Sequence, residues 1–209
     1  MSSSKTNTLY YIHDPMCSWC WGFKPVLEEL LNQLPDTLCI KYLLGGLAAD
    51  SQQAMADDMQ QFLQQTWHRI QQKIPATEFN FNFWKQCQPR RSTYPACRAV
   101  IAARIQQPDC ERQMIDAIQQ AYYLNASNPS DDNVLIELAG NLKLDLKKFK
   151  NDLNSAQTQM TLTQEIQRSQ ALGAQGFPSL ILSKGKNNTV LRLDYNHVDS
   201  NLKQLIDLL

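Results

Sequence analysis

Apolar residues fall along this chain in two rhythms. Leu9, Tyr10, Tyr11 and Ile12 form a short continuous run closed by His13, Asp14 and Pro15, which predicts a buried strand. From 18 to 34 the spacing changes. Trp19, Phe23, Val26, Leu27, Leu30, Leu31 and Leu34 recur mostly at three- and four-residue steps, the repeat of one helix face, and Pro35 ends the run. Residues 38–44 are a second apolar strand rich in Ile, Tyr and Leu, stopped by Gly45 and Gly46. The opening therefore reads β-α-β.

Beyond the glycines the period stays helical for about 120 residues. Met55, Met59, Phe62, Leu63, Trp67, Ile70 and Ile74 form one stripe that stops at Pro75, and its reading is core packing. Further helices are predicted over 95–107, 110–125, 131–142, 146–153 and 160–172, the last followed by Gly173 where a left-handed cap is expected. Residues 79–84 alternate aromatic and Asn side chains and receive no element. The tail returns to strands: 179–182 and 190–193 are apolar runs around the polar turn 184–188, a predicted hairpin. A last helix, capped by Asp199 or Ser200, has Leu202, Leu205, Ile206 and Leu209 on its inner face.

Composition narrows the function classes. Twenty Lys plus Arg balance 20 Asp plus Glu, so no net field draws the chain to nucleic acid or anionic lipid. With 43% hydrophobic and 19% charged residues the chain can bury a core, and 209 residues suit one domain or a small domain with an insertion. No apolar run approaches the ~20 residues of a membrane helix. Residues 1–8 carry one lysine and no apolar segment, so neither signal peptide nor anchor is expected, and the expected location is the cytoplasm. Six cysteines are too sparse for a disulfide scaffold.

Two of them are close. Cys17-Ser18-Trp19-Cys20 is a Cys-x-x-Cys between the first strand and the first helix. A sulfur at a helix start meets the positive end of the helix dipole and unpaired backbone N–H groups, which favour its anionic form. Cys17 is then the nucleophile. Cys20, one turn later, can attack a mixed disulfide formed at Cys17 and release the substrate. The same spacing also supplies two zinc ligands, but Cys39, Cys87, Cys97 and Cys110 contain no second close pair, and no metal is expected.

The segment from Asp14 through Pro15, Met16, Cys17, Ser18, Trp19, Cys20, Trp21 and Gly22 to Phe23 resembles the active site of DsbA-like proteins of the thioredoxin superfamily, near a cytosolic FrnE-like branch. Gly176-Phe177-Pro178-Ser179-Leu180 resembles the segment that bears the family's cis-proline. The resemblance implies an α/β thioredoxin-like fold with a large all-helical insertion between its β-α-β and ββα halves: 1–46 and 174–209 for the thioredoxin-like domain, 47–173 for the inserted one. It implies a protein disulfide oxidoreductase in which Cys17 attacks, Cys20 resolves and Pro178 faces the disulfide, with the Phe177 backbone free to pair with an extended substrate. No cofactor is implied, and the partners are protein or peptide thiols and disulfides, with glutathione a further candidate. Trp19 and Trp21 are candidate substrate-binding residues of an apolar rim. Asp14 and His13 are candidate proton handlers, each with a structural role as its alternative. Cys39 is read as core, Cys97 as an additional thiol or a buried small residue, and Cys87 and Cys110 carry no assigned role.

Two departures from the family stand out. Trp19 replaces the histidine that the family's periplasmic oxidant carries before its second cysteine, and Tyr11 occupies the place of a buried acid. Relatives of the same inserted architecture include glutathione-dependent isomerases and transferases, which usually carry serine in place of the cysteine pair. A non-enzymatic metal-binding or chaperone-like module is the remaining alternative.

Overall fold

The computed structural model of the chain describes residues 7–35 and 37–209. Of the leader reading for 1–8, residues 1–6 lie outside the described residues. Four strands, β1 (Thr8–His13), β2 (Cys39–Leu44), β3 (Ser179–Lys184) and β4 (Asn187–Val190), form one sheet in the order β2-β1-β3-β4. β1 and β2 run parallel, in register from Thr8 opposite Cys39 to His13 opposite Leu44. Parallel neighbours need a crossover, and α1 (Ser18–Asn32) supplies it. β3 is antiparallel to β1, and β4 to β3.

β1 reads as an unbroken apolar run because both of its faces are covered. Leu9 and Tyr11 join Phe23, Leu27 and Leu30 of α1 and Leu205 of the C-terminal helix, while Tyr10 and Ile12 pack with Ile181 and Leu172 on the opposite side. The remaining helices share a second core: α2 (Asp57–Lys73), α3 (Phe83–Gln86), α4 (Tyr94–Gln106), α5 (Cys110–Tyr123), α6 (Asp132–Asn141), α7 (Leu146–Leu153) and α8 (Ala156–Ala171). α4 is its axis. Every residue from Pro95 to Ala103 is buried, and the small side chains of Ala96, Ala99, Ala102 and Ala103 let α5, α7 and α8 pack around it. A helix apolar on all sides belongs inside a core. α9 (Val198–Leu208) closes the chain against α1. The result is a thioredoxin-like α/β fold with a 4-stranded mixed sheet and a layer of inserted helices.

Several boundaries moved for identifiable reasons. α8 starts at Ala156 because the Ser155 hydroxyl accepts from the Thr158 N–H, so the cap rather than the first apolar residue sets the start. The hairpin turns on Gly185, at φ +67°, which pairs Ile181 with Val190 and makes the polar, exposed stretch Asn187–Val190 the edge strand. The apolar stretch read as the strand begins at its end, where the buried Leu191 N–H still reaches the Leu180 carbonyl. Residues 79–84 bring Phe79, Phe81, Phe83 and Trp84 around the buried Trp67. Cys39 is half-buried rather than core, because β2 lies at the sheet edge.

Candidate functional site

The end of β1 delivers the chain into a tight turn. The Asp14 carbonyl accepts the Cys17 N–H at 3.0 Å, and Cys17 becomes the N-cap of α1 with its own carbonyl accepting from Trp21. Its backbone is extended, so the sulfur stands at the mouth of the helix where free N–H groups point outward. Cys17 is 6% exposed and Cys20 0%, which leaves Cys17 the sulfur a substrate can reach. Both are free thiols.

Across from them the Phe177–Pro178 peptide is cis. Proline donates no N–H, and the Phe177 carbonyl accepts from the Cys17 thiol at 3.5 Å. The helix start and the late proline, some 160 positions apart in sequence, thus meet at one sulfur. The Phe177 ring packs on Gly45, whose missing side chain makes room for it. Gly46, at φ +64°, then turns the chain from β2 into the helical layer.

Behind Cys17 the surroundings disfavour charge. Burial pushes the Cys20 thiol well above its ordinary value, and the hydrogen bond and charge of the Cys17 sulfur push the same way, while a backbone hydrogen bond from Asp14 opposes them. Burial, reinforced by both sulfurs, also holds the Tyr11 hydroxyl far up. The residue at the position of the absent acid is therefore a neutral phenol beneath the resolving sulfur.

Asp14 is buried and fully occupied. Its Oδ1 accepts the Met16 N–H at 2.8 Å, and its Oδ2 accepts the Leu47 N–H at 2.7 Å, the Thr93 hydroxyl at 2.6 Å and the Cys97 thiol at 3.5 Å. Burial raises the carboxyl above its usual value, and these donors pull it back in part. The carboxylate ties three segments together: the Cys17 turn, the chain leaving β2 and the start of α4. Cys97 is completely buried against it, its thiol pushed up by burial and then by the charge of Asp14.

His13 takes a different place. It is buried, stacks on Tyr11 at 5.1 Å, and neither ring nitrogen has a hydrogen-bond partner among the described residues. Burial, then the charge of Arg104, lowers its pKa to about 3, so the ring is neutral. The two tryptophans separate. Trp19 stands beside Cys17 at a cavity of about 210 Å³, edge-on to Tyr195. Trp21 stacks on Tyr123, donates its indole N–H to the Glu78 carbonyl, and lines a separate groove with Pro25 and Glu78.

The Cys17 cavity also holds residues that the sequence reading did not single out. Arg69 and Arg91 contribute to its walls, beside Met55 and Phe62 of the stripe read as core packing. The turn before α4 supplies Arg91, Ser92 and Thr93 to the same cavity. Among the described residues no three His, Cys, Asp or Glu side chains converge as a metal site.

A family model described as Thioredoxin matches residues 10–199. The chain belongs to the thioredoxin family. Its fold is similar to that of a candidate protein disulfide isomerase from Nitrosomonas europaea, with a TM-score of 0.83, 27% identity, and coverage of 98% of this chain and 97% of that one. It also resembles the cytosolic disulfide reductase DsbM from Pseudomonas aeruginosa, solved with GSH, with a TM-score of 0.72, 22% identity and 96% of each chain covered. Among curated proteins, the ClpXP adapter protein SpxH of Bacillus subtilis (strain 168) is 28% identical over 148 residues, which is 70% of this chain and 48% of that protein. SpxH of Halalkalibacterium halodurans is 23% identical over 185 residues, 83% of this chain and 57% of its own length. This thioredoxin-family chain thus spans about half the length of those curated relatives. The fold is that of solved structures described as disulfide isomerase and disulfide reductase, the chain carries a close cysteine pair at Cys17 and Cys20, and among the described residues no helix is long and apolar enough to cross a membrane.

Proposed function

We propose that this chain is a cytoplasmic thiol-disulfide oxidoreductase working through Cys17 and Cys20. The observation that carries the reading is the meeting of the Cys17 sulfur, at the start of α1, with the carbonyl before cis-Pro178, while Cys20 stays buried behind it. In the reducing direction the Cys17 thiolate attacks one sulfur of a substrate disulfide. The substrate S–S bond breaks, a Cys17–substrate disulfide forms, and the other half leaves as a thiolate. Cys20 gives up its proton and attacks the Cys17 sulfur, releasing the second half. Two electrons pass from the protein's thiols to the substrate, and the oxidised protein returns to the dithiol when two substrate thiols run the same steps backwards. The cytosolic P. aeruginosa reductase solved with GSH supports both the compartment and a small thiol as partner.

Asp14 serves this site as a positioning group that fixes the Cys17 turn. His13, neutral and without a polar contact to either sulfur, packs the sheet. The presence of both sulfurs in contact supports exchange over the glutathione-dependent isomerase reading. Reduced protein is mixed with a disulfide, quenched with acid and weighed. Wild type forms the internal disulfide, Cys20→Ser accumulates a mixed disulfide on Cys17, and Cys17→Ser forms neither. Normal turnover by Cys17→Ser would refute the assignment. The curated SpxH relatives favour a second role, protein docking as an adapter. Docking of that kind survives the Cys17→Ser and Cys20→Ser substitutions together, whereas a redox-linked partner is lost with them.

A further inference from the structure

The charged residues that line the cavity at Cys17 are all arginines: Arg69, Arg90 and Arg91. Three arginines of the helical layer are matched by carboxylates: Arg90, which also lines this cavity, pairs with Asp131, Arg98 with Asp50, and Arg104 with Glu111 and Glu165, while Arg112 and Arg168 lie over the Tyr42 and Tyr10 rings. Arg69 and Arg91 are different. Neither has an ion pair or a hydrogen bond among the described residues, and both line the cavity that holds Cys17. No carboxylate lines it. The nearest buried one, Asp14, lies behind the Met16, Leu47 and Thr93 wall with its oxygens already taken by donors. Arg91 is half-buried, so its charge acts in a medium less screened than bulk water.

We infer that this cavity selects small disulfides and thiols that carry carboxylates, with Arg91 and Arg69 as the residues that read the negative charge. The inference rests on the oxidoreductase reading above and names its substrate class. Space fits it: about 210 Å³ accepts one arm of a small disulfide, and Leu63, Trp67 and Met55 offer apolar wall to its methylene stem. Guanidinium groups pair with carboxylates through parallel N–H donors, so they hold an arm in one orientation as well as attract it. Attack by Cys17 on the sulfur of the anchored arm breaks the substrate S–S bond and the other arm leaves at once as a thiolate; the anchored arm follows as a thiolate when Cys20 attacks the Cys17 sulfur.

The test uses three symmetric disulfides of similar size: 3,3′-dithiodipropionate with two carboxylates, neutral bis(2-hydroxyethyl) disulfide, and cystamine with two ammonium groups. Single-turnover oxidation of the fully reduced protein is measured with each, and every rate is divided by that of dithiothreitol with the same reagent to remove intrinsic reactivity. The dicarboxylate should exceed the neutral disulfide by about tenfold at low salt and cystamine should fall below it, with the spread collapsing near 1 M salt, where the screening length is ~3 Å. Arg69→Gln together with Arg91→Gln should cut the dicarboxylate preference to under about threefold, because two fixed charges are gone. Arg69→Gln alone, on the exposed face of α2, gives an intermediate ratio and guards against a folding defect at Arg91. A wild-type ratio near one, or a ratio that survives both substitutions, overturns the charge reading while leaving the redox reading in place. Failure to reduce any of the three, the neutral one included, defeats both.

Discussion

Replacing Gly45 with alanine places a methyl carbon 1.9 Å from Phe177 Cε1, 2.2 Å from Cζ and 2.7 Å from Cδ1, where ordinary contact begins at 3.4 Å. The backbone at Gly45 is not left-handed, so alanine is allowed conformationally and the ring is the whole obstacle. Phe177 must retreat by about 1.5 Å, and overpacking of this kind costs about 1–3 kcal/mol. For a chain of this size that lowers Tm by about 2–4 °C per kcal/mol. The same retreat moves a cavity wall and the carbonyl that faces Cys17. A displacement near 1 Å can cost up to about 100-fold in rate, so exchange should drop further than stability alone explains. A double-mutant cycle isolates the cause: with Phe177→Ala the added methyl meets no ring, and most of the loss of stability from Gly45→Ala should be recovered. Urea unfolding of the four proteins measures it. Identical destabilisation by Gly45→Ala with and without the ring, or a fully stable and active Gly45→Ala protein, would show that the Phe177 contact does not hold this side of the site.

Thr93→Val removes the hydroxyl between Asp14 and the Ala48 N–H and should cost about 1–3 kcal/mol in urea unfolding, with valine filling the space; an unchanged midpoint counts against the clasp. The raised thiol of Cys20 makes its thiolate scarce near neutrality, so resolution of a preformed mixed disulfide on Cys17 should accelerate about tenfold per pH unit up to at least pH ~8.5. A plateau below pH ~7 contradicts that shift. Glu165 bonds both Arg104 and the Leu44 N–H at the end of β2, and Glu165→Ala should destabilise by about 1–3 kcal/mol, read as a Tm fall, because it leaves that backbone donor without its acceptor and Arg104 with Glu111 alone.

Sequence reading found the elements whose signal is local. The apolar run of β1, the stripe of α1 and the Cys-x-x-Cys between them are each contained in a short window, and so is the Gly-Phe-Pro that precedes β3. What it missed depends on contacts between distant positions. Nothing in the spacing around Asp14 says that its oxygens are filled by Thr93 and Leu47, because the partners come from segments 79 and 33 positions away. Trp19 and Trp21 lie two residues apart on one helix, about 200° of rotation, so a shared rim asked the helix to present opposite sides at once. α1 sends Trp19 to the cavity and Trp21 to Tyr123. Arg69 and Arg91 received no role from the sequence, since a free cation and a paired one are the same letter.

Those arginines bear on what the insertion contributes. The thioredoxin-like half brings the sulfurs, the cis-proline and the neutral backing of Tyr11 and Cys20, all of which serve exchange with any disulfide of suitable access. Both arginines come instead from the helical layer, one from α2 and one from the turn before α4. The clasp at Asp14 joins that layer to the Cys17 turn, since Thr93 stands two residues after Arg91 and bonds the same carboxylate that holds the Met16 N–H beside Cys17. Weakening the clasp therefore shifts Arg91 relative to the sulfur without touching either charge. Thr93→Val should lower the rate with the dicarboxylate disulfide more than with the neutral one, whereas a purely structural defect slows both in equal proportion. An equal loss would mean that the clasp holds the fold together but does not set the distance between the charged wall and the attacking thiol.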